Sequence, residues 1–347
     1  VAEPSAEPPN AETARSGSLV TIDDVRAAAA TLRGIAIRTP LVPFGRPADR
    51  RFLKAESLQP IGAFKIRGAY VAVASLGVDE RSRGVITYSS GNHAQGVARA
   101  GRLLGVPAVV VMPSDAPALK RARVEADGAQ VVVVGTSSDE RRQVAEEIAA
   151  RRGLAIIPPF DDDRIIAGQG TVGLEIVEDL PDVAAVLVPI GGGGLASGVA
   201  VAVKALAPGA RVIGVESELA ADARDSLREG RIVRWAPDLV SRTIADGTRT
   251  TALGERTFAH LSALLDGVLT VTEYEIAAGV RLAAEESRLV VEPSGALPIA
   301  AMVFHGAELG LGPTATPGGP VVAVVSGGNV DPDRYQALLE SPIPPVG

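Results

Sequence analysis

The sequence predicts an α/β protein whose sheets are mostly parallel and flanked by helices. Short β-branched runs alternate with longer segments whose apolar residues recur at helical spacing. Several of the short runs are continuously apolar, as strands are when helices cover both faces of a sheet. Glycine-rich turns follow three of the strand candidates, and in parallel α/β sheets ligands sit beyond the carboxyl ends of strands. The three turns are therefore expected to converge on one crevice.

Taken in order, residues 1–18 are rich in Ala, Pro and Glu and lack the basic start and apolar run of a signal peptide, so a disordered tail is expected. Thr21 with Asp24 three positions on is a capping-box pattern opening the first helix. Strands are expected at 51–56, 84–88, 108–112, 130–134, 155–157, 184–189, 211–216, 267–271 and 320–325, with helical spacing at 95–104, 139–152, 173–180 and 273–288. The stretch 183–203 is uncharged and long enough to span a bilayer. Pro189 and the glycines 191–194 interrupt it, so a strand, a glycine loop and a helix are expected there instead. A soluble, cytoplasmic protein follows from this reading. The net charge of -7, with no basic stripe, argues against nucleic acid as a partner. The absence of cysteine excludes disulfides, thiolate metal ligands and a cysteine nucleophile together.

Three segments carry chemistry. In the run 189–198, glycines let successive backbone N–H groups turn toward one anion, and the following helix adds its positive end. A phosphate suits it, whether from a phosphorylated cofactor or from a dinucleotide, since Gly191-x-Gly193-x-x-Ala196 also fits the loose dinucleotide fingerprint with Glu216 as a ribose-binding acid. In 59–69, Gly62 and Ala63 leave space beside the backbone and Phe64 can wall off water from Lys65. An amine so placed loses solvation, its pKa falls, and it becomes a usable nucleophile and base. Lysine is scarce here; Lys54 sits mid-strand, Lys120 among arginines on a charged helix and Lys204 on the helix after the glycine loop, which leaves Lys65 as the candidate. In 89–96, hydroxyls, an amide and backbone donors at a helix start suit a carboxylate or a ring hydroxyl. No metal-ligand spacing joins His93, His260 and His305.

Together these segments resemble the fold-type II pyridoxal-phosphate (PLP) enzymes, in particular the threonine/serine dehydratase and serine racemase group, over about 19–331. Five blocks match in order: Gly-Ala-Phe-Lys-Ile-Arg-Gly-Ala at 62–69, Ser-Ser-Gly-Asn-His at 89–93, Ile-Ala-Gly-Gln-Gly-Thr at 166–171, the glycines 191–194, and Ser-Gly-Gly-Asn-Val-Asp at 326–331. The resemblance implies a two-domain, tryptophan synthase β-like fold. Residues 19–65 and 161–347 would form a large PLP-binding domain, and 66–160 a small mobile domain that closes over substrate. It implies a homodimer, although no sequence feature marks an interface.

Carried over by residue, the resemblance implies that Lys65 bears PLP covalently and removes the substrate's α-proton, with Phe64 beside the ring. Asn92 would meet the ring hydroxyl, and Gly191, Gly192, Gly193, Gly194 and Leu195 the phosphate. Ser326 would face the pyridine nitrogen, and Glu292 joins the cofactor-binding set. Ser89, Gly91 and His93 would line the substrate carboxylate pocket, with Arg142 near a second carboxylate. A hydroxyl at Ser90, opposite Lys65, would handle a proton on the other face. Glu216, the Ala220 carbonyl and Asp222 match a Mg²⁺ or other divalent-cation site. The implied activity is dehydration of L-threonine or L-serine to a 2-oxo acid and ammonia. The alternatives are serine racemisation and dehydration of 3-hydroxyaspartate, which Ala63 and Ser90 bring into view. Too few residues follow Asp331 for a regulatory domain, so a feedback-inhibited biosynthetic deaminase is not expected. A nicotinamide oxidoreductase would leave the Lys65 and Ser326 blocks without a role, and a non-catalytic binding protein would take up no PLP.

Overall fold

A computed structural model describes residues 17–89, 91–116, 118–136, 138–306, 309 and 319–345. Among these are two sheets. The strands are β1 (Leu41–Phe44), β2 (Arg51–Ala55), β3 (Val85–Tyr88), β4 (Ala108–Pro113), β5 (Gln130–Val134), β6 (Ala155–Ile156), β7 (Ala185–Pro189), β8 (Arg211–Ser217), β9 (Gly267–Val271) and β10 (Val321–Val325). One sheet has the order β1-β2-β10-β7-β8-β9 and the other β5-β4-β3-β6. Every pairing is parallel except β1 with β2, an antiparallel pair at the sheet edge. Sequence patterning missed β1. Pro43 interrupts its short run, and an edge position is where a strand tolerates proline.

Both faces of each sheet are buried, and the side-chain alternation shows it. In β10, Val321, Ala323 and Val325 pack toward the helices Glu273–Ser287 and Pro293–Phe304. Val322 and Val324 pack the other way, toward the helices Asp163–Asp179 and Gly194–Leu206. In the smaller sheet, Val85, Val110 and Met112 face one apolar cluster while Ile86, Val109 and Val111 face another. Full burial of each such side chain contributes roughly 1.5–3 kcal/mol before chain entropy is counted. The helix Ile22–Thr31 opens on the expected capping box, Thr21 Oγ1 accepting from Asp24 N while Thr21 N donates to the Asp24 carboxylate. Among the described residues no helix is long and apolar enough to cross a membrane.

Three helices approach one another through glycine. A Cβ added to Gly168 would lie 2.6 Å from Gly68 Cα, so the helices Lys65–Ala74 and Asp163–Asp179 meet backbone to backbone. A Cβ on Gly170 would lie 2.9 Å from the Gly198 carbonyl, which brings Gly194–Leu206 equally close on the next turn. Beside this contact lies a buried charge cluster. Arg67 donates to both oxygens of Glu56 (2.8 Å each) and to Glu175, and Lys54 Nζ donates to Glu175 and to the Thr39 carbonyl (2.6 Å each). Burial alone would raise the Glu56 pKa, but the Arg67 guanidinium, joined by the Lys54 charge and the Thr39 hydroxyl, outweighs it and the net shift is downward. Two cations and two carboxylates neutralise one another in a space that would tolerate none of them alone.

Candidate active site

Lys65 opens the helix Lys65–Ala74 at the end of a turn that only glycine can make at position 62. Gly62 has φ +72°, and a Cβ there would run into the Asn329 amide. The turn is tied to the carboxyl end of β10, with Phe64 N donating to the Ser326 carbonyl (3.0 Å) and Gly328 N to the Gly62 carbonyl (2.9 Å). The Lys65 ammonium lies 5.2 Å from the Phe64 ring centroid and donates to the Pro159 carbonyl at 2.7 Å. Burial draws its pKa from 10.5 to about 8.

This nitrogen faces a cavity of about 500 Å³ at the carboxyl ends of the strands. The glycines 191–194 and Leu195 line the same cavity, after β7 and at the start of the helix Gly194–Leu206. Gly193 has φ +91°, and a Cβ on Gly192 would overlap the Phe160 ring. The loop therefore offers bare backbone N–H groups under an aromatic cover, a cradle matched to an anion. Ser326 and Glu292 also line the cavity, as do Ser89, Gly91, Asn92 and His93. The crevice expected from three glycine-rich turns is present. Ser90 lies outside the described residues.

Asn92 has a defined orientation. Its Nδ2 donates to Glu292 Oε1 (2.7 Å) and its Oδ1 accepts from Asn329 Nδ2 (2.9 Å). Glu292 is buried, and burial, followed by the negative charge of Asp246, pushes its pKa to about 7. His93 sits 3.1 Å from the Ile157 carbonyl through Nε2, which must carry the proton, since a carbonyl only accepts. Its Nδ1 is buried with no hydrogen-bond partner. Burial, with the nearby Lys65 charge, lowers the His93 pKa to about 3, so the ring is neutral and presents an acceptor.

Arg142 lines the cavity while its Nε donates to Glu146 Oε1 at 2.7 Å. Its neighbour Arg141 lines the cavity as well and donates to the Thr136 carbonyl (3.0 Å). The resemblance singled out only Arg142, and nothing in the sequence marked its neighbour. Lys120 and Asp246 were also missed. They line the cavity and pair across it at 2.9 Å, a contact between residues far apart in the chain that no local motif encodes. Glu216, Ala220 and Asp222 lie apart from this cavity, around the end of β8. Glu216 accepts from Ala223 N (3.0 Å) and Arg224 N (2.8 Å), while Asp222 Oδ2 is buried without a partner. Burial, followed by the Asp222 charge, raises the Glu216 pKa, and burial raises that of Asp222 to about 7.

An amine with a lowered pKa, a backbone anion cradle and a polar floor in one cavity match what PLP requires of a protein. The family model "Pyridoxal-phosphate dependent enzyme" matches residues 32–327. The chain belongs to that family. It is 41% identical to the L-threo-3-hydroxyaspartate ammonia-lyase of Saccharomyces cerevisiae over 92% of this chain and 96% of that one. It is 39% identical to the serine racemase of Schizosaccharomyces pombe over 92% and 98%. The crystal structure of the T.th. threonine deaminase superposes with a TM-score of 0.82 at 45% identity, covering 90% of this chain and 99% of that one. The fold is thus that of the fold-type II PLP enzymes, and the dinucleotide reading of the glycine loop falls.

Proposed function

We propose that this PLP-dependent enzyme is an ammonia-lyase that eliminates water from L-threonine or L-serine to give a 2-oxo acid and ammonia. One observation carries the proposal: the Lys65 amine, buried with its pKa brought down to about 8, shares a cavity with the 191–194 cradle. Lys65 Nζ would hold the PLP aldehyde, the N–H groups of 191–195 its phosphate, Asn92 its ring hydroxyl and Ser326 its pyridine nitrogen. When bound, PLP withdraws electrons from the substrate's α-carbon and so acidifies its C–H bond. Lys65 is the base that takes that α-proton, and its low pKa suits it to work near neutral pH. A hydroxyl at Ser326, unlike a carboxylate, does not favour a protonated pyridine, which suits prompt loss of the β-hydroxyl. The turn with Ser89, Gly91 and His93 would hold the substrate carboxylate through hydroxyl and backbone donors, the His93 ring being neutral. Segment 66–160, which contains the strands of the four-stranded sheet, would act as the smaller closing domain. Lys65→Ala should abolish both the visible absorbance of bound cofactor and ammonia release; persistent turnover would refute the proposal.

A second reading, dehydration of 3-hydroxyaspartate, is supported by Arg141 and Arg142, both at the cavity and both suited to a second carboxylate. Comparing kcat/KM on threonine, serine and 3-hydroxyaspartate, with a chiral assay for serine inversion, separates the three activities. Arg141→Ala and Arg142→Ala should lower the value for 3-hydroxyaspartate selectively. The Glu216, Ala220 and Asp222 cluster fits a Mg²⁺ or Ca²⁺ ion, since two buried carboxylates there, one with an orphaned oxygen, need a counter-charge.

A further inference from the structure

One ion pair crosses the cavity. Lys120, on the helix Ala118–Ala126 that packs with the four-stranded sheet, places Nζ 2.9 Å from Asp246 Oδ2. Asp246 begins the short turn Asp246–Thr248 on the side of the six-stranded sheet. That turn is held firmly. Thr243 Oγ1 and Ile244 N donate to Glu273, Arg334 donates to the Ile244 carbonyl (2.6 Å), and Gly247 N donates to Ser294 Oγ (2.8 Å).

The other side of the Lys120 ammonium faces the loop before the helix Asn92–Leu104. A Cβ built on Gly91 would lie 3.8 Å from Nζ, so the charge rests beside the 89–93 turn. The Lys120 side chain is only 16% exposed, and an ammonium has three N–H groups to place. The groups that the turn itself offers to a carboxylate are neutral, a hydroxyl and backbone N–H groups, and the His93 imidazole beside them carries no charge. An anion brought from water into such a recess needs a compensating charge, and without substrate the recess needs an anion to balance the lysine.

We infer that Lys120 is a further substrate-binding residue: its ammonium is the counter-charge for the substrate's carboxylate at the 89–93 turn, and Asp246 holds it in place there. The inference rests on the amino-acid-binding role proposed above for this cavity. Asp246 occupies one N–H of the ammonium, and the incoming carboxylate takes another. The residue's value lies in its position between two anions, one built into the protein and one delivered by the ligand.

The test uses the PLP-loaded enzyme and glycerate, which carries serine's carboxylate and hydroxyl but no amine to react with the cofactor. Calorimetry gives its Kd, and steady-state kinetics give KM for serine and threonine in parallel. Lys120→Met and Lys120→Gln should each weaken glycerate and raise KM by roughly tenfold to a hundredfold, the range for a charge-assisted hydrogen bond, with cofactor absorbance unchanged. Asp246→Asn, whose amide oxygen still accepts from the ammonium, should change both by less than about threefold. Lys120→Arg should recover part of the loss. If Lys120 only bridged the two sides of the cavity, Lys120→Met and Asp246→Ala, each of which breaks the bridge, would cost the same, and that result would overturn the inference. So would an unaltered Kd for glycerate in both Lys120 variants. Glycerate binding with the expected pattern, but no ammonia from any hydroxy amino acid, would sink the proposed activity and leave Lys120 standing. Ammonia release with an unchanged KM in the Lys120 variants would do the reverse.

Discussion

Cofactor-stripped protein should take up PLP at a rate set by the neutral fraction of the Lys65 amine. Burial brings that amine from 10.5 to about 8. At pH 7.5 about a quarter of it is then neutral, against about 0.1% of an ordinary lysine, a gain of roughly 200-fold in nucleophile. Stopped-flow absorbance of bound cofactor between pH 5.5 and 9.5 should rise about tenfold per pH unit well below 8 and level off above it. The same shift has a stability counterpart in the cofactor-free protein. Between about 8 and 10.5 the unfolded chain keeps this proton and the folded chain has shed it, so stability rises with pH across that window. Below it the full burial cost is felt, about 3 kcal/mol for a shift of this size. Lys65→Met should therefore stabilise the cofactor-free protein at pH 7 by about 2 kcal/mol, some of the gain being lost with the donor to the Pro159 carbonyl. An uptake midpoint near 10, or a flat profile, would refute the claim that burial primes this amine.

Three further outcomes follow from the packing. Gly192→Ala would push a methyl group into Phe160, so the Kd for PLP should rise at least about tenfold, with partial recovery in Gly192→Ala/Phe160→Ala; spectroscopic titration of the stripped protein measures it. A divalent cation at a hundred times its Kd should stabilise the wild type by about 2.7 kcal/mol, roughly a 4 °C rise in Tm, and should leave Glu216→Gln/Asp222→Asn unmoved; equal rises in both would place the ion elsewhere. Arg67→Met, which leaves Glu56 and Glu175 buried without their guanidinium, should cost about 3–5 kcal/mol in chemical denaturation.

What could be read from the sequence was local. The glycines at 62 and 191–194 announce themselves because their backbone is irreplaceable, and the lysine that follows Phe64 stands out where only three others exist. Strands followed from β-branched runs, except β1, whose proline breaks the pattern. The rest depends on partners distant in the chain. Lys54 read as an ordinary mid-strand residue, yet it is fully buried and paired with Glu175. Lys120 read as one more charge on a polar helix, and its role appears only once Asp246 and Gly91 are placed around it. Arg142 came from the resemblance alone, and Arg141, one position away, shows at the cavity only in the structure. Glu216 suited a ribose or a metal, the other blocks favoured the metal, and in the structure it does not line the cavity that holds the cradle.

The glycine contacts at 68, 168, 170 and 198 have a mechanical result. The helix that begins with the amine and the helix that begins at the cradle are clamped against the same central helix, backbone meeting backbone at Gly68 with Gly168 and at Gly198 with Gly170. The span between the two ends of the coenzyme is thus set within one stiff block. A swap of any of these glycines for alanine would separate the two anchorage points, and damage would register first as loosened coenzyme and only later as slower turnover.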